Sequence, residues 1–154
     1  MSYCTWVDYG YGVELPFVAK GTLMKFAEKH KVFGDWLKNY WTPEELNDDE
    51  LDGTSIITEY EDSDCSMNGL ASMLKDVIAD EKHIKLCASE DYDGRDYLIY
   101  TPSYPWARQY MTDEEKAINS EEDIVNLISP YLVELYGEES NKIGFTYQEV
   151  ENGG

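Results

Sequence analysis

The sequence predicts an α+β fold in a single domain, in which one sheet carries helices on one face. Strand-like and helix-like segments follow one another in the order β-α-α-β-β-α-β along 154 residues. That length is typical of one domain. The chain contains no internal repeat and no linker, so residues 1–154 are expected to fold as one unit, with a loose tail at about 151–154.

The first strand and the first helix are predicted within residues 2–31. Residues 2–9 are rich in β-forming residue types, and Gly10 and Gly12 are expected to end this strand. Thr22 can cap a helix over residues 22–31. The apolar face of this helix, at helical spacing, consists of Leu23, Phe26, Ala27 and His30. The histidine is therefore expected at the edge of an apolar face.

An aromatic cluster and a short helix come next. Residues 32–41 bring four aromatic side chains close together in the sequence. Thr42 is followed by a proline and two glutamates, which is the pattern of a capped helix start. Gly53 is expected to end this helix, and residues 54–60 indicate a weak strand.

A helix and a hairpin are predicted in the middle of the chain. Apolar residues at helical spacing predict the helix over residues 67–82. Strands are expected at 84–89 and 96–101, and the Asp-Gly pair between them favours a hairpin turn. Thr112 and Glu115 then resemble a capping box.

The longest helix is expected after Ser120, and Gly137 should end it. Pro130 should either kink this helix or begin a new one. A last strand is expected at 143–150. Without the short helices after the first one, the order becomes β-α-β-β-α-β, as in ferredoxin-like folds. This order requires the last strand to pair with the first.

The net charge is the most unusual property of the chain. Asp and Glu number 32 and Lys and Arg number 12, which gives −20 at neutral pH. The charge is uneven, because residues 1–43 hold five lysines and four acids, while the other 28 acids and seven bases lie in 44–154. Such a surface repels nucleic acids and anionic membranes and attracts basic proteins. Direct binding to DNA, RNA or a membrane is therefore not expected.

Location and redox state follow from what the sequence lacks. It has no apolar run of about 18 residues and no basic, apolar secretory signal, so a cytoplasmic location is expected. The three cysteines, Cys4, Cys65 and Cys87, are far apart and odd in number, which favours free thiols.

Metal sites are not expected either. Two segments partly match a calcium-binding loop, one starting at Ser89 and one at Asp64. Position 12, which should hold a bidentate glutamate, is Tyr100 in the first and Lys75 in the second. The histidines, His30 and His83, lie too far from each other and from cysteines to suggest zinc.

No catalytic motif is present in the sequence. It contains neither a Gly-x-Ser-x-Gly nucleophile nor a phosphate-binding loop, and no pair among its many carboxylates stands out. The protein is expected not to be an enzyme and to need no cofactor.

The candidate functional residues are three groups of carboxylates with two tyrosines among them. Ten carboxylates in residues 44–64 have no lysine or arginine between them, so their mutual repulsion is uncompensated in the sequence. Tyrosine is favoured at protein interfaces. The predicted partner-binding residues are Glu44, Glu45, Asp48, Asp49, Glu50 and Asp52, then Glu59, Tyr60, Glu61, Asp62 and Asp64, and finally Glu90, Asp91, Tyr92 and Asp93.

In size, charge and carboxylate clustering over residues 44–154, the chain resembles the small acidic inhibitors of phages and mobile elements. These anti-CRISPR and anti-restriction proteins imitate nucleic acid. The resemblance implies an inhibitor that occupies the nucleic-acid groove of a defence nuclease, a Cas effector or a restriction enzyme, in the host cytoplasm. Two alternatives stay open: an acidic interaction protein whose charge serves solubility only, and an enzyme with a site of unfamiliar type.

Overall fold

The computed structural model describes residues 5–64, 67–102 and 105–153. Within these ranges the chain folds into one antiparallel sheet and a set of helices, an α+β structure as predicted. Two 3-10 turns, Pro105–Tyr110 and Gly137–Lys142, connect longer elements. The elements are β1 (Thr5–Leu15), α1 (Lys20–Lys29), α2 (Lys31–Tyr40), α3 (Pro43–Leu46), α4 (Gly53–Ile57), α5 (Leu70–Lys82), β2 (Cys87–Glu90), β3 (Asp96–Tyr100), α6 (Asp113–Lys116), α7 (Glu121–Tyr136) and β4 (Thr146–Gly153).

The sheet has the strand order β2-β3-β1-β4, and each neighbouring pair is antiparallel. The first strand therefore lies inside the sheet and pairs with β3 on one side and β4 on the other. Thr5 lies opposite Gly153 and Gly12 opposite Thr146. The predicted pairing of the last strand with the first is confirmed, and so is the hairpin of β2 and β3.

The prediction that Gly10 and Gly12 end the first strand is wrong, because β1 continues through both to Leu15. A Cβ atom on Gly10 would lie 2.2 Å from the carbonyl oxygen of Tyr100, and one on Gly12 would lie 2.1 Å from that of Leu98. The glycines let β3 approach β1 closely. They are part of the strand pairing.

The main core lies between the sheet and the long helices. Val13, Ala88 and Leu98 share one face of the sheet, since the register places Leu98 opposite both of the others. The helices α5 and α7 contact the strands, and α1 and α2 pack against them. Gly137 ends α7 with a positive φ of 58°, as expected. Pro130 lies inside this helix, which continues to Tyr136, so the alternative that it begins a new helix is wrong.

Three further predictions need correction. Residues 54–60 are not a strand, because Asp52 caps a helix there and Ile56 and Ile57 point into the core. Gly53 begins that helix, while the previous one already ends at Leu46. The expected tail at 151–153 belongs to β4, where Glu151 pairs with Val7, and residue 154 lies outside the described residues.

Candidate protein-binding surface

The first group of predicted residues lies in a segment that local hydrogen bonds hold in place. We call residues 44–52 the acidic segment. It begins in α3, where the predicted capping box is confirmed: the Thr42 hydroxyl accepts a bond of 3.2 Å from the Glu45 N–H, and the Glu45 carboxylate accepts one of 3.0 Å from the Thr42 N–H. Two of the free N–H groups at the helix start are thereby satisfied.

The turn after α3 is ordered in the same way. The Asp48 carboxylate accepts a bond from the Glu50 N–H at 3.0 Å, and the Asp48 carbonyl accepts one from the Leu51 N–H at 3.0 Å. Leu46 and Leu51 pack against the core. Asp52 then accepts a bond of 2.7 Å from the Ser55 N–H, which lowers the pKa of its carboxyl. The backbone of the acidic segment is thus anchored at both ends.

The carboxylates of the acidic segment all face solvent. None of them forms an ion pair with a lysine or arginine of residues 5–64, 67–102 or 105–153. One cation does approach, because the Lys20 ammonium donates to the Asp48 carbonyl oxygen at 2.8 Å. The uncompensated charge expected from the sequence is therefore present here. The six exposed residues are Glu44, Glu45, Asp48, Asp49, Glu50 and Asp52.

The second group is different, because much of it is internal. The Asp62 side chain is fully buried, and its carboxylate lies 3.5 Å from the ammonium of Lys75, which is itself buried. Asp64 accepts a bond of 2.8 Å from Lys75 and lies 3.2 Å from the Lys85 ammonium. We call Asp62, Asp64, Lys75 and Lys85 the lysine network.

The pKa values in the lysine network show that its charges depend on each other. Hydrogen bonds from Lys75 and Lys85 lower the pKa of Asp64. Burial would lower the pKa of Lys75, but the neighbouring carboxylates of Asp64 and Asp62 outweigh burial and raise it. Lys75 is therefore a charged, paired group.

Tyr60 is also buried, with 4% of its surface exposed. Its hydroxyl donates to Asp76 at 2.8 Å, and burial together with this bond raises its pKa. The prediction that Tyr60 and Asp62 lie on a partner-binding surface is therefore wrong. Of their neighbours, Glu59 is exposed and accepts a bond of 2.8 Å from the Tyr40 hydroxyl, and Glu61 is exposed at a bridge to Asn68.

The third group surrounds the β2–β3 turn and contains its own cation. The Asp91 carboxylate accepts bonds from the backbone of Asp93 and Arg95 and from the Tyr97 hydroxyl. These bonds outweigh partial burial and lower its pKa. The Arg95 guanidinium bonds to Asp93 at 3.1 Å. Tyr92 is 63% exposed and Glu90 is half-buried, so this turn is acidic but locally compensated.

One structural carboxylate was not distinguished by the sequence. Asp96 accepts a bond of 3.0 Å from the Leu70 N–H at the start of α5. Burial, reinforced by Glu90, raises the pKa of Asp96 to about 6. Gly69 has a φ of 123°, and a Cβ atom there would lie 2.9 Å from the Asp96 carboxylate. The packing of α5 against β3 brings these groups together.

Other predicted features fall partly outside the described residues. Cys87 is a free, half-buried thiol whose pKa burial raises to about 11. Cys4 and Cys65 lie outside these residues. Among His, Cys, Asp and Glu in the described ranges, no group of three or more could hold a metal ion. A membrane-crossing segment would need a longer and more apolar helix than any in those ranges.

Comparison of the chain with protein-family models, with curated proteins and with solved structures finds no match.

Proposed function

We propose that the protein is an acidic inhibitor that binds in the nucleic-acid groove of a bacterial defence nuclease, a Cas effector or a restriction enzyme. The acidic segment carries this proposal, because its six carboxylates are exposed and form no ion pair with a lysine or arginine of the described residues. Duplex DNA carries one charge per ~1.7 Å of its axis, and proteins neutralise it with lysine and arginine. A dense row of carboxylates offers these side chains an alternative partner.

Pre-organisation of the acidic segment supports the proposal. The capping box at Thr42 and the side-chain bond of Asp48 fix the backbone, and Leu51 anchors it to the core. A partner that binds this segment would have little backbone ordering to supply, which lowers the free-energy cost of association. The backbone that carries the carboxylates is therefore ordered before a partner binds.

An aromatic stack beside the acidic segment provides the second kind of contact. Tyr40 is half-exposed, and its ring stacks on Trp36 with centroids 5.1 Å apart. Its hydroxyl bonds to Glu59, which raises the Tyr40 pKa, and Glu45 contributes to the same effect. Arginine guanidinium groups stack on aromatic rings and bond to carboxylates. Such a surface suits an arginine-rich groove.

The proposal includes a location and a scaffold. A defence nuclease of this kind acts in the cytoplasm of the host cell, and the inhibitor would act there. The scaffold we infer is ferredoxin-like. Supporting it are the strand order β2-β3-β1-β4 and the positions of α5 and α7, which contact the strands and precede β2 and β4.

A second candidate is an acidic interaction protein without mimicry. The lysine network and the Asp91 hydrogen bonds favour it, because they show carboxylates used inside the fold. On this view the acidic segment provides solubility, and no carboxylate of it contacts a partner.

The test uses purified defence nucleases, including a Cas effector and a restriction enzyme. We expect the protein to inhibit DNA cleavage by one of them, to compete with DNA for it and to bind more weakly as salt rises. Reversal of Asp48, Asp49 and Glu50 to lysine should weaken this binding at least about tenfold, mainly through slower association. Fluorescence anisotropy at two salt concentrations measures the salt dependence of the affinity and the loss of affinity in the triple variant.

The matched control reverses Glu138, Glu149 and Glu151, which are exposed and far along the chain from the acidic segment. It changes the net charge by the same amount and should retain most of the affinity. If both triple variants bind the nuclease as tightly as the wild type, and DNA does not compete, the mimic proposal is wrong and the solubility role replaces it.

A further inference from the structure

A buried histidine joins three parts of the helical layer. His30 lies between α1 and α2 and is 7% exposed. Its ring packs on Phe26, with centroids 4.1 Å apart, and lies 5.5 Å from the ring of Tyr131 on α7. The sequence predicted His30 on the apolar face of a helix over residues 22–31, but α1 ends at Lys29 and His30 forms the extended junction with α2. Its polar partners come from residues 51 and 104 positions away.

Both ring nitrogens of His30 face carboxylates. Nδ1 lies 2.5 Å from Oε2 of Glu81 in the last turn of α5, and Nε2 lies 2.6 Å from Oε2 of Glu134 in the last turn of α7. The Tyr131 hydroxyl donates to the other oxygen of Glu81 at 2.9 Å, and the Lys29 ammonium lies 3.9 Å from the other oxygen of Glu134. Tyr131 and Lys29 therefore contact the two glutamates, and Lys25 lines the same cleft as Lys29 and Glu134.

A count of protons shows what this geometry requires. A neutral imidazole has one N–H and one bare nitrogen, so it can donate to only one of two carboxylates. Both contacts are hydrogen bonds only when the three groups hold one additional proton, as they do when the ring is an imidazolium. Without that proton, a lone pair on nitrogen faces a carboxylate oxygen at hydrogen-bond distance, and the contact becomes repulsive.

The two glutamates lie where a carboxylate is unfavourable, so a positive charge on His30 stabilises the fold more. Each lies at the C-terminal end of a helix, where the helix dipole disfavours a carboxylate. A protonated His30 compensates both at once. We propose that His30, Glu81 and Glu134 form a proton-dependent clamp, which holds the ends of α5 and α7 against the junction of α1 and α2.

The sign of the pH effect follows from the proton count. In the folded protein both contacts use the additional proton, whereas in the unfolded chain the three groups are apart and make neither contact. The clamp therefore stabilises the fold where an imidazole is ordinarily protonated, and this stabilisation is lost as the pH rises above about 6.5, the ordinary histidine value. Asp96 acts in the same direction below about pH 6, so the clamp must be isolated with a variant that retains Asp96.

Glu134→Gln isolates the clamp, because an amide accepts a bond from an N–H and donates one to a bare ring nitrogen. We expect the melting temperature of the wild type to fall by about 3–6 °C more than that of Glu134→Gln between pH 5.5 and 8.5. Glu138→Gln, an exposed glutamate beyond the end of α7, is the control and should follow the wild type.

A second measurement uses the wild type alone. Imidazole ¹⁵N spectra should show His30 with both nitrogens protonated at pH 5.5 and one deprotonated at high pH. The free energy of unfolding should fall over the same pH interval. Parallel melting curves for wild type and Glu134→Gln would overturn the proposal. So would ¹⁵N spectra in which His30 is neutral at every pH from 5.5 to 8.5.

Discussion

The acidic segment and the lysine network are only ten residues apart, yet they use their carboxylates in opposite ways. In the acidic segment every carboxylate faces solvent. In the lysine network Asp62 is fully buried, and Lys75, 11 residues after Asp64, neutralises both. In the sequence, residues 44–52 and residues 59–64 are both acidic stretches without a base. The difference arises from a cation that the fold brings in from α5.

The two regions should differ in how much stability depends on them. Exposed charges contribute little to the free energy of unfolding, because water already solvates them. Removing one partner of a buried pair leaves an uncompensated charge in the interior, which is strongly destabilising. Substitutions can therefore test whether the contrast between these regions is real.

The largest effect is expected from Lys75→Met, which leaves Asp62 buried without its cation. The free energy of unfolding should fall by about 3 kcal/mol in urea denaturation at pH 7. Asp62→Asn in the same background should recover part of the loss. Lys38→Met, an exposed control, should have little effect. A loss below about 1 kcal/mol for Lys75→Met would show that the lysine network contributes no more to the free energy of unfolding than the acidic segment does.

A smaller loss is expected when Glu121, Glu122 and Asp123 are reversed to lysine. These acids lie in the first turn of α7, and Asp123 accepts a bond of 2.9 Å from the Asn119 N–H, which lowers its pKa. Lysines there oppose the helix dipole, so the melting temperature should fall by about 3–5 °C. An unchanged melting temperature would show that these acids behave as mere surface charge.

Asp96→Asn should change the free energy of unfolding by a smaller amount and in the opposite direction, because it should stabilise the protein. Its pKa in the folded protein, about 6, is above the ordinary value, so stability falls as the pH rises from about 4 to about 6. Asparagine removes the buried charge and still accepts the bond from the Leu70 N–H. The variant should be more stable than the wild type by roughly 1 kcal/mol at pH 7, and this advantage should vanish at pH 4. Urea denaturation at the two pH values measures it.

The smallest effect is expected from the reversal of Asp48, Asp49 and Glu50 in the acidic segment. These side chains are exposed and make only the local bond from Asp48 to the Glu50 N–H. The melting temperature should change by less than about 2 °C, measured by circular dichroism. A fall comparable to that of Lys75→Met would show that the acidic segment has a structural role, and its use for binding would lose support.

The predictions from sequence succeeded where the signal is local. The capping boxes at Thr42 and Thr112, the apolar face of α5 and the end of α7 at Gly137 all depend on residues within one or two turns. They failed where a distant strand or helix decides the outcome. The role of Gly10 and Gly12 was predicted wrongly, because the backbone that leaves no room for a Cβ atom there belongs to β3, some 90 residues later.

The same limit applies to the candidate surface. The exposure of the acidic segment follows from its own composition, and it was predicted. The burial of Tyr60 and Asp62 depends on Asp76 and Lys75 in α5. One signal was available, because Lys75 lies in a helix whose first five residues carry no charge. A lysine that directly follows such an uncharged stretch is a candidate for a buried cation that needs acidic partners.

The position of β1 inside the sheet has a consequence for how the chain is made. This strand is synthesised first, but its two partners are residues 96–100 and 146–153. On the ribosome, β1 therefore lacks any partner strand until β3 has emerged, and one edge stays open until residue 153 is free. An open edge is a template for pairing with other chains. The sheet is complete only after residue 153 has left the ribosome, and slow translation between residues 100 and 153 should favour aggregation of nascent molecules.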